Sequence, residues 1–121
     1  MLGDGIRRNI AMVSQEERDR LRDAILTLQT KLFPGAKTDP IPGGVSYWFK
    51  QDEIHDGTHV HFCPAFLPWH REFLRQFELD LQSVNPRVTI PYWDFTVDNS
   101  PKSSLWSDKL GLSNYALIGV A

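Results

Sequence analysis

Two stretches of the chain place apolar or weakly polar residues at the same helical spacing, and this pattern constrains the fold more than any other feature. In each stretch these positions follow i, i+3, i+4, i+7 and i+11, which puts them on one face of an α-helix. The two stripes are Leu21, Ala24, Ile25, Leu28 and Leu32, and His70, Phe73, Leu74, Phe77 and Leu81. The pattern predicts a mainly α-helical protein in which His70 lies on a buried helix face.

Signals at both ends indicate where the first helix lies. Ser14-Gln15-Glu16-Glu17 has the pattern of a capping box, in which Ser14 and Glu17 each accept a hydrogen bond from the other's backbone amide. The helix should end at Phe33-Pro34-Gly35, because proline and glycine stop helices. The segment PGAKTDPIPGG, residues 34–44, predicts a loop.

Two further helices are predicted around the histidines. VSYWFKQDEIH, residues 45–55, contains no helix breaker and is followed by Asp56-Gly57, so His55 should lie near the C-terminal end of a short helix. Pro68 suits the first position of the next helix, where a backbone amide hydrogen is not needed. Short extended segments and loops are expected at the C-terminal end, beginning with Val88-Thr89-Ile90.

Length and charge exclude several classes of protein. With 121 residues the chain suits one domain, which we assign to residues 1–121. The net charge of −2 comes from interspersed acids and bases, so no nucleic-acid groove is predicted. No apolar stretch is long enough to span a membrane, and no signal peptide is seen in this chain, so the sequence leaves its location open.

The four histidines, His55, His59, His61 and His70, all fall within residues 55–70. A single histidine on an apolar helix face is more often a hydrogen-bonded core residue than a metal ligand. Several buried imidazoles in one neighbourhood each need partners for their ring nitrogens, and a shared metal ion satisfies them together. Imidazole suits zinc, copper, iron or nickel. The cluster therefore predicts a metal site without choosing among these metals.

Helix geometry favours three of the histidines as ligands. His55 ends one helix, His61 lies in the connecting loop and His70 opens the next helix, so an antiparallel helix pair would bring the three together. His59 is the alternative to His55 or His61. Its spacing from His55 would pair the two only if the helix continued through Gly57, which glycine disfavours by up to about 1 kcal/mol.

One family accounts for these motifs together. HFCPAFLPWHREFLRQFE, followed by VTIPYWDFT, strongly resembles the first copper-binding half of the tyrosinase family, which includes catechol oxidases and molluscan-type haemocyanins. The segment IRRNIAMVSQEERDRLRDAILTLQ looks like the helix that precedes this site in animal members. The resemblance runs from about Ile6 to about Trp106. It implies an incomplete tyrosinase-type helical bundle, consisting of an N-terminal helix and the helix pair of the first copper site.

The resemblance assigns roles to individual residues. His61 and His70 correspond to the second and third ligands of the first copper, and His55 is the best match for the first. The residues expected to support the ligands are Phe66, Trp69, Phe73, Glu78 and Asp94. Some family members link a cysteine to the second ligand, but that position is occupied here by His59. Cys63 is interpreted instead as a small buried residue.

The resemblance also implies a function. A complete member uses six histidines to hold two copper ions, which oxidise phenols or o-diphenols with O2, whereas this sequence contains four histidines. We therefore expect one copper ion in this chain, the second copper half absent, and a fragment that is inactive alone. An alternative is a haemocyanin-like module that binds oxygen or copper without turnover. The family resemblance suggests a secreted or extracellular protein, and an uncovered apolar helix face would allow self-association.

Overall fold

The computed structural model describes residues 4–34, 44–100 and 102–103. Over these residues the chain forms a 3₁₀ helix, Ile10–Met12, and three α-helices: α1, Gln15–Thr30; α2, Tyr47–Gly57; and α3, Phe66–Val84. The β-type pairing in the described ranges consists of isolated bridges. The predicted mainly α-helical class is confirmed. Most of the predicted loop over residues 34–44, and everything from residue 104 onward, lies outside the described residues.

Helix α1 begins with the predicted capping box. The amide of Glu17 donates to the Ser14 hydroxyl at 3.3 Å, and the amide of Ser14 donates to the Glu17 carboxylate, also at 3.3 Å. Along the helix Leu21, Ala24 and Leu28 are buried, as the apolar stripe predicts. A cap of this kind stabilises a helix by about 1 kcal/mol, which helps to fix where α1 starts.

The predicted end of α1 is wrong by a few residues. The helix stops at Thr30, and the following residues pair with the segment that precedes α2: the amide of Tyr47 donates to the Lys31 carbonyl at 2.9 Å, and the amide of Phe33 to the Val45 carbonyl at 2.9 Å. Leu32 is 52% exposed, so it does not continue the buried stripe. The helix therefore ends before Pro34, because the residues after Thr30 pair with the segment before α2.

The chain divides into two compact units, and one of them, residues 24–86, contains all four histidines. In this unit α2 is capped by Ser46, whose hydroxyl accepts from the amide of Phe49 at 3.2 Å. Its buried apolar residues are Ala24, Leu28, Val45, Val60 and Leu81. Helix α3 begins at Phe66, two residues before the predicted start at Pro68, and the proline still falls in the first turn, where helical amides have no intrahelical partner.

Contacts between α2 and α3 show that the two helices run antiparallel. His55, near the end of α2, meets His70, near the start of α3, while Trp48, near the start of α2, meets Phe77 with ring centroids 5.8 Å apart. The predicted helix pair is therefore present. It places the loop of residues 58–65 at the same end as His55 and His70.

The second unit comprises the described residues of 1–23 and 87–121. In it the chain near Asn9 pairs in parallel with Tyr92, through an amide of Ile10 that donates to the Tyr92 carbonyl at 2.8 Å. Val88 and Thr89 are completely buried in this unit. In the described part of the chain, none of the helices combines the length and apolar character required to cross a bilayer.

Candidate metal centre

Three histidines converge at the loop end of the helix pair. Nitrogen atoms of His55, His61 and His70 all lie within 4.8 Å of one another. The ring centroids form a nearly equilateral triangle, with 4.9 Å between His55 and His61, 5.1 Å between His61 and His70, and 5.3 Å between His55 and His70. His55 and His70 are half-buried and His61 is exposed. The structure thus brings together the three residues that helix geometry favoured.

The orientation of His70 is fixed by its own helix. Its Nδ1 lies 2.7 Å from the carbonyl oxygen of Phe66. A carbonyl oxygen can only accept, so Nδ1 carries the hydrogen and Nε2 presents its lone pair towards the other two histidines. Metal-bound histidines commonly donate their second ring nitrogen in this way, which holds the ring and sets the tautomer.

The spacing of the His55 and His70 nitrogens suits one ion. His55 Nε2 and His70 Nε2 lie 3.2 Å apart. Two imidazole nitrogens that each bind one ion at about 2.0–2.1 Å are separated by roughly 3.3–3.6 Å in tetrahedral or trigonal geometry. Three neutral imidazoles form a donor set suited to copper or zinc and unsuited to oxygen-preferring cations such as calcium. The residues present therefore fit a metal such as copper or zinc.

Aromatic side chains pack against the rings of the three histidines. Trp69 and Phe73 stack on each other with centroids 5.0 Å apart, and both contact the His55 ring, at 5.9 and 5.7 Å. Phe66 contacts His70 at 4.3 Å and His61 at 5.6 Å. The three aromatic residues predicted to support the site are all at the triad. They restrict rotation of the histidine rings and lower the local polarity.

The other two predicted supporting residues are Glu78 and Asp94. Glu78 is half-buried, more than two turns along α3 from His70. Asp94 belongs to the other compact unit, where its carboxylate accepts from the amide of Thr96 at 3.2 Å and its carbonyl accepts from the amide of Asp98 at 2.9 Å. The Asp94 contacts are those of a turn.

The loop between α2 and α3 corrects one expectation. Cys63 is exposed, so the prediction of a buried residue is wrong. Its sulfur lies 3.1 Å from the carbonyl oxygen of Val60, and this contact keeps the side chain along the loop backbone rather than in a core. His59 is also exposed, and among the described residues it is not a member of the group whose nitrogens converge.

One feature of this unit was not predicted. A cavity of about 470 Å³ lies beside the triad, lined by Tyr47, Gln51, Trp69, Phe73 and Asp80 among others. Gln51 donates to the Asp80 carboxylate at 2.7 Å, and burial raises the pKa of that carboxyl while the charge of Lys31 opposes the change. Gln51 and Asp80 lie on different helices, so no local pattern in the sequence joins them.

Fold and site together define a helical domain with a three-histidine site that suits copper or zinc. A family model described as the common central domain of tyrosinase matches residues 35–117. The chain belongs to the tyrosinase family. Copper is the metal that this family binds, and His55, His61 and His70 form the group in the described structure that could hold it.

Several relatives show the same relationship. The chain is 38% identical to a tyrosinase of Streptomyces antibioticus over 107 residues, which is 88% of this chain and 38% of that protein. It is 60% identical to grixazone synthase of Streptomyces griseus over 48 residues, 40% of this chain and 16% of that protein. It is 39% identical to the tyrosinase of Coturnix japonica over 62 residues, 50% of this chain and 20% of that protein. The chain thus spans at most about two fifths of these relatives.

Proposed function

We propose that this chain supplies one copper site of a dicopper centre that oxidises phenols or o-diphenols with O2. The three imidazole nitrogens that converge within 4.8 Å carry the proposal, because they form a complete ligand set for one ion. His55, His61 and His70 are the proposed ligands, with His59 as the alternative that the sequence left open. The names of the relatives, tyrosinases and a grixazone synthase, support an oxidative enzyme rather than a haemocyanin-like carrier.

Copper bound at the triad would supply the redox chemistry of the reaction with O2. The protein's residues have simpler tasks. The Phe66 carbonyl accepts the Nδ1 hydrogen of His70 and so directs Nε2 to the ligand position. Trp69 and Phe73 pack against the His55 ring and fix its orientation. None of the three imidazoles acts as a general base, because each lone pair is committed to the metal.

The number of histidines indicates how the centre would be completed. The family's dicopper centre, as the resemblance implies, needs six histidine ligands, and this sequence contains four. We therefore assign residues 1–121 to a partial copper-binding domain and expect the second copper's ligands to come from polypeptide outside these residues. Exposed apolar side chains near the triad, Phe62 at 106%, Leu67 at 74% and Leu74 at 41%, support association through this face.

Copper loading and oxygen uptake test this proposal. The purified chain, loaded with Cu(I), should bind one ion per chain, because it offers one triad. The monomeric fraction should show no sustained oxygen uptake with catechol above that of a His70→Ala control. Two copper ions per monomer, or catechol oxidation by the monomer that is lost in His70→Ala, would contradict the proposal. Activity confined to a dimeric fraction would show that a second copy, rather than another polypeptide segment, completes the centre.

A further inference from the structure

The loop that carries His61 has an unusual backbone. His59 has a φ of 51° and Phe62 a φ of 61°, and they are the two non-glycine residues with positive φ in the described structure. Left-handed backbone is uncommon for residues with a Cβ atom. Histidine tolerates it better than most, whereas a bulky residue such as phenylalanine rarely adopts it. These two residues lie on either side of His61, the one member of the triad that is not on a helix.

Contacts at both ends hold this conformation. At the α2 end, the Thr58 hydroxyl donates to the Ile54 carbonyl. In the middle, the Val60 side chain is buried, and its carbonyl accepts from the Cys63 thiol at 3.1 Å. At the α3 end, the amide of Phe66 donates to the Cys63 carbonyl at 3.0 Å. The loop is therefore anchored to both helices and through a buried residue between them.

Packing of the Phe62 ring does not explain its backbone. The side chain is fully exposed, with a relative accessibility of 106%, so no buried ring contact offsets the unfavourable φ. Unfavourable backbone conformations persist where surrounding structure determines them, often at functional sites. Here the neighbouring group with a specific geometric demand is His61, whose ring must reach two rings on different helices at 4.9 and 5.1 Å.

We infer that Phe62 and His59 are positioning residues for copper, since their left-handed backbone turns the loop so that the His61 imidazole faces His55 and His70. This inference rests on the proposed function. An extended φ at either position would redirect the chain beside His61 and take its ring away from the other two. The inference also gives His59 a role through its backbone, which is consistent with an exposed imidazole outside the triad.

Paired substitutions at Phe62 and Phe95 distinguish the effect of backbone φ on Cu(I) affinity from the effect of losing a phenylalanine side chain. Phe62→Val should weaken Cu(I) affinity at least tenfold, because a β-branched residue strongly disfavours positive φ. Phe62→Gly should bind at least as tightly as the unaltered chain, because glycine adopts positive φ readily. Phe95 is the control, because it is 65% exposed and is not among the residues with positive φ. Phe95→Val and Phe95→Gly remove the same side-chain atoms as the two Phe62 substitutions and should leave Cu(I) affinity unchanged. Affinity is measured by competition with a chromophoric Cu(I) chelator.

A spectroscopic readout distinguishes positioning from general destabilisation. The visible spectrum of the Co(II)-loaded chain should change in Phe62→Val as it does in His61→Ala, and should be retained in Phe62→Gly. Equal weakening by Phe62→Val and Phe62→Gly, or wild-type affinity and spectrum in Phe62→Val, would overturn the inference. If His61→Ala itself leaves Cu(I) affinity unchanged, both the proposed function and the loop inference fail. If His61→Ala weakens binding and Phe62→Val does not, only the loop inference fails.

Discussion

Replacing His70 with alanine should lower the affinity of the chain for Cu(I) by more than roughly 100-fold. Loss of a residue that merely orients a metal ligand commonly lowers affinity by roughly 10–100-fold, and loss of the ligand itself should exceed this. The His70 ring is held by its own helix, because its Nδ1 lies 2.7 Å from the Phe66 carbonyl, and its Nε2 lies 3.2 Å from that of His55. Competition with a Cu(I) chelator measures the change.

The matched control is His59→Asn. This substitution removes an imidazole from the same segment but keeps a residue that tolerates the positive φ of position 59. It should leave Cu(I) affinity within a few-fold of that of the unaltered chain. If His59→Asn weakened binding as strongly as His70→Ala, His59 would be a ligand, and the assignment of the triad would be wrong.

Replacing Leu81 with alanine should lower the free energy of unfolding by about 2–5 kcal/mol. Leu81 lies on α3 and is completely buried, so truncation removes apolar contacts and leaves a cavity in the unit that carries the triad. A loss of this size is a large fraction of the stability of a small domain. Urea denaturation of the metal-free chain, followed by circular dichroism at 222 nm, measures the effect.

Leu79→Ala is the control for this effect, since it removes the same atoms two positions earlier on the same helix. Leu79 is 45% exposed, and its truncation should change the free energy of unfolding by about 1 kcal/mol or less. Equal losses in the two variants would mean that Leu81 is not part of a packed core.

Local signals in the sequence predicted the helices well. The capping box at Ser14 and the stripe through Leu21, Ala24 and Leu28 depend on neighbouring residues, and both occur in the structure. The end of α1 depends instead on pairing between residues near 32 and 46, which are distant in sequence. The helical spacing of apolar residues cannot reveal such a competing contact, so the predicted helix included Leu32.

The candidate site also has features that the sequence predicted and features that it did not. Helix phase and loop position favoured His55, His61 and His70, because an antiparallel pair brings the ends of its helices together. The metal came from the family resemblance, since imidazoles alone suit several ions. The positive φ values at His59 and Phe62 could not be predicted, because neither residue is a glycine and the contacts that hold the loop involve Val60 and both helices. The exposure of Cys63 could not be predicted either, because it depends on the conformation of the same loop.

X-ray absorption at the copper edge of the Cu(I)-loaded chain tests the central claim most directly. The three histidines with converging nitrogens should appear as three imidazole ligands at one copper ion. Multiple scattering identifies imidazole, and sulfur is distinguished by its longer bond. Three imidazoles with no sulfur is the predicted result. Two or fewer imidazoles, or a sulfur ligand from Cys63, would contradict the assignment of His55, His61 and His70 as the copper site.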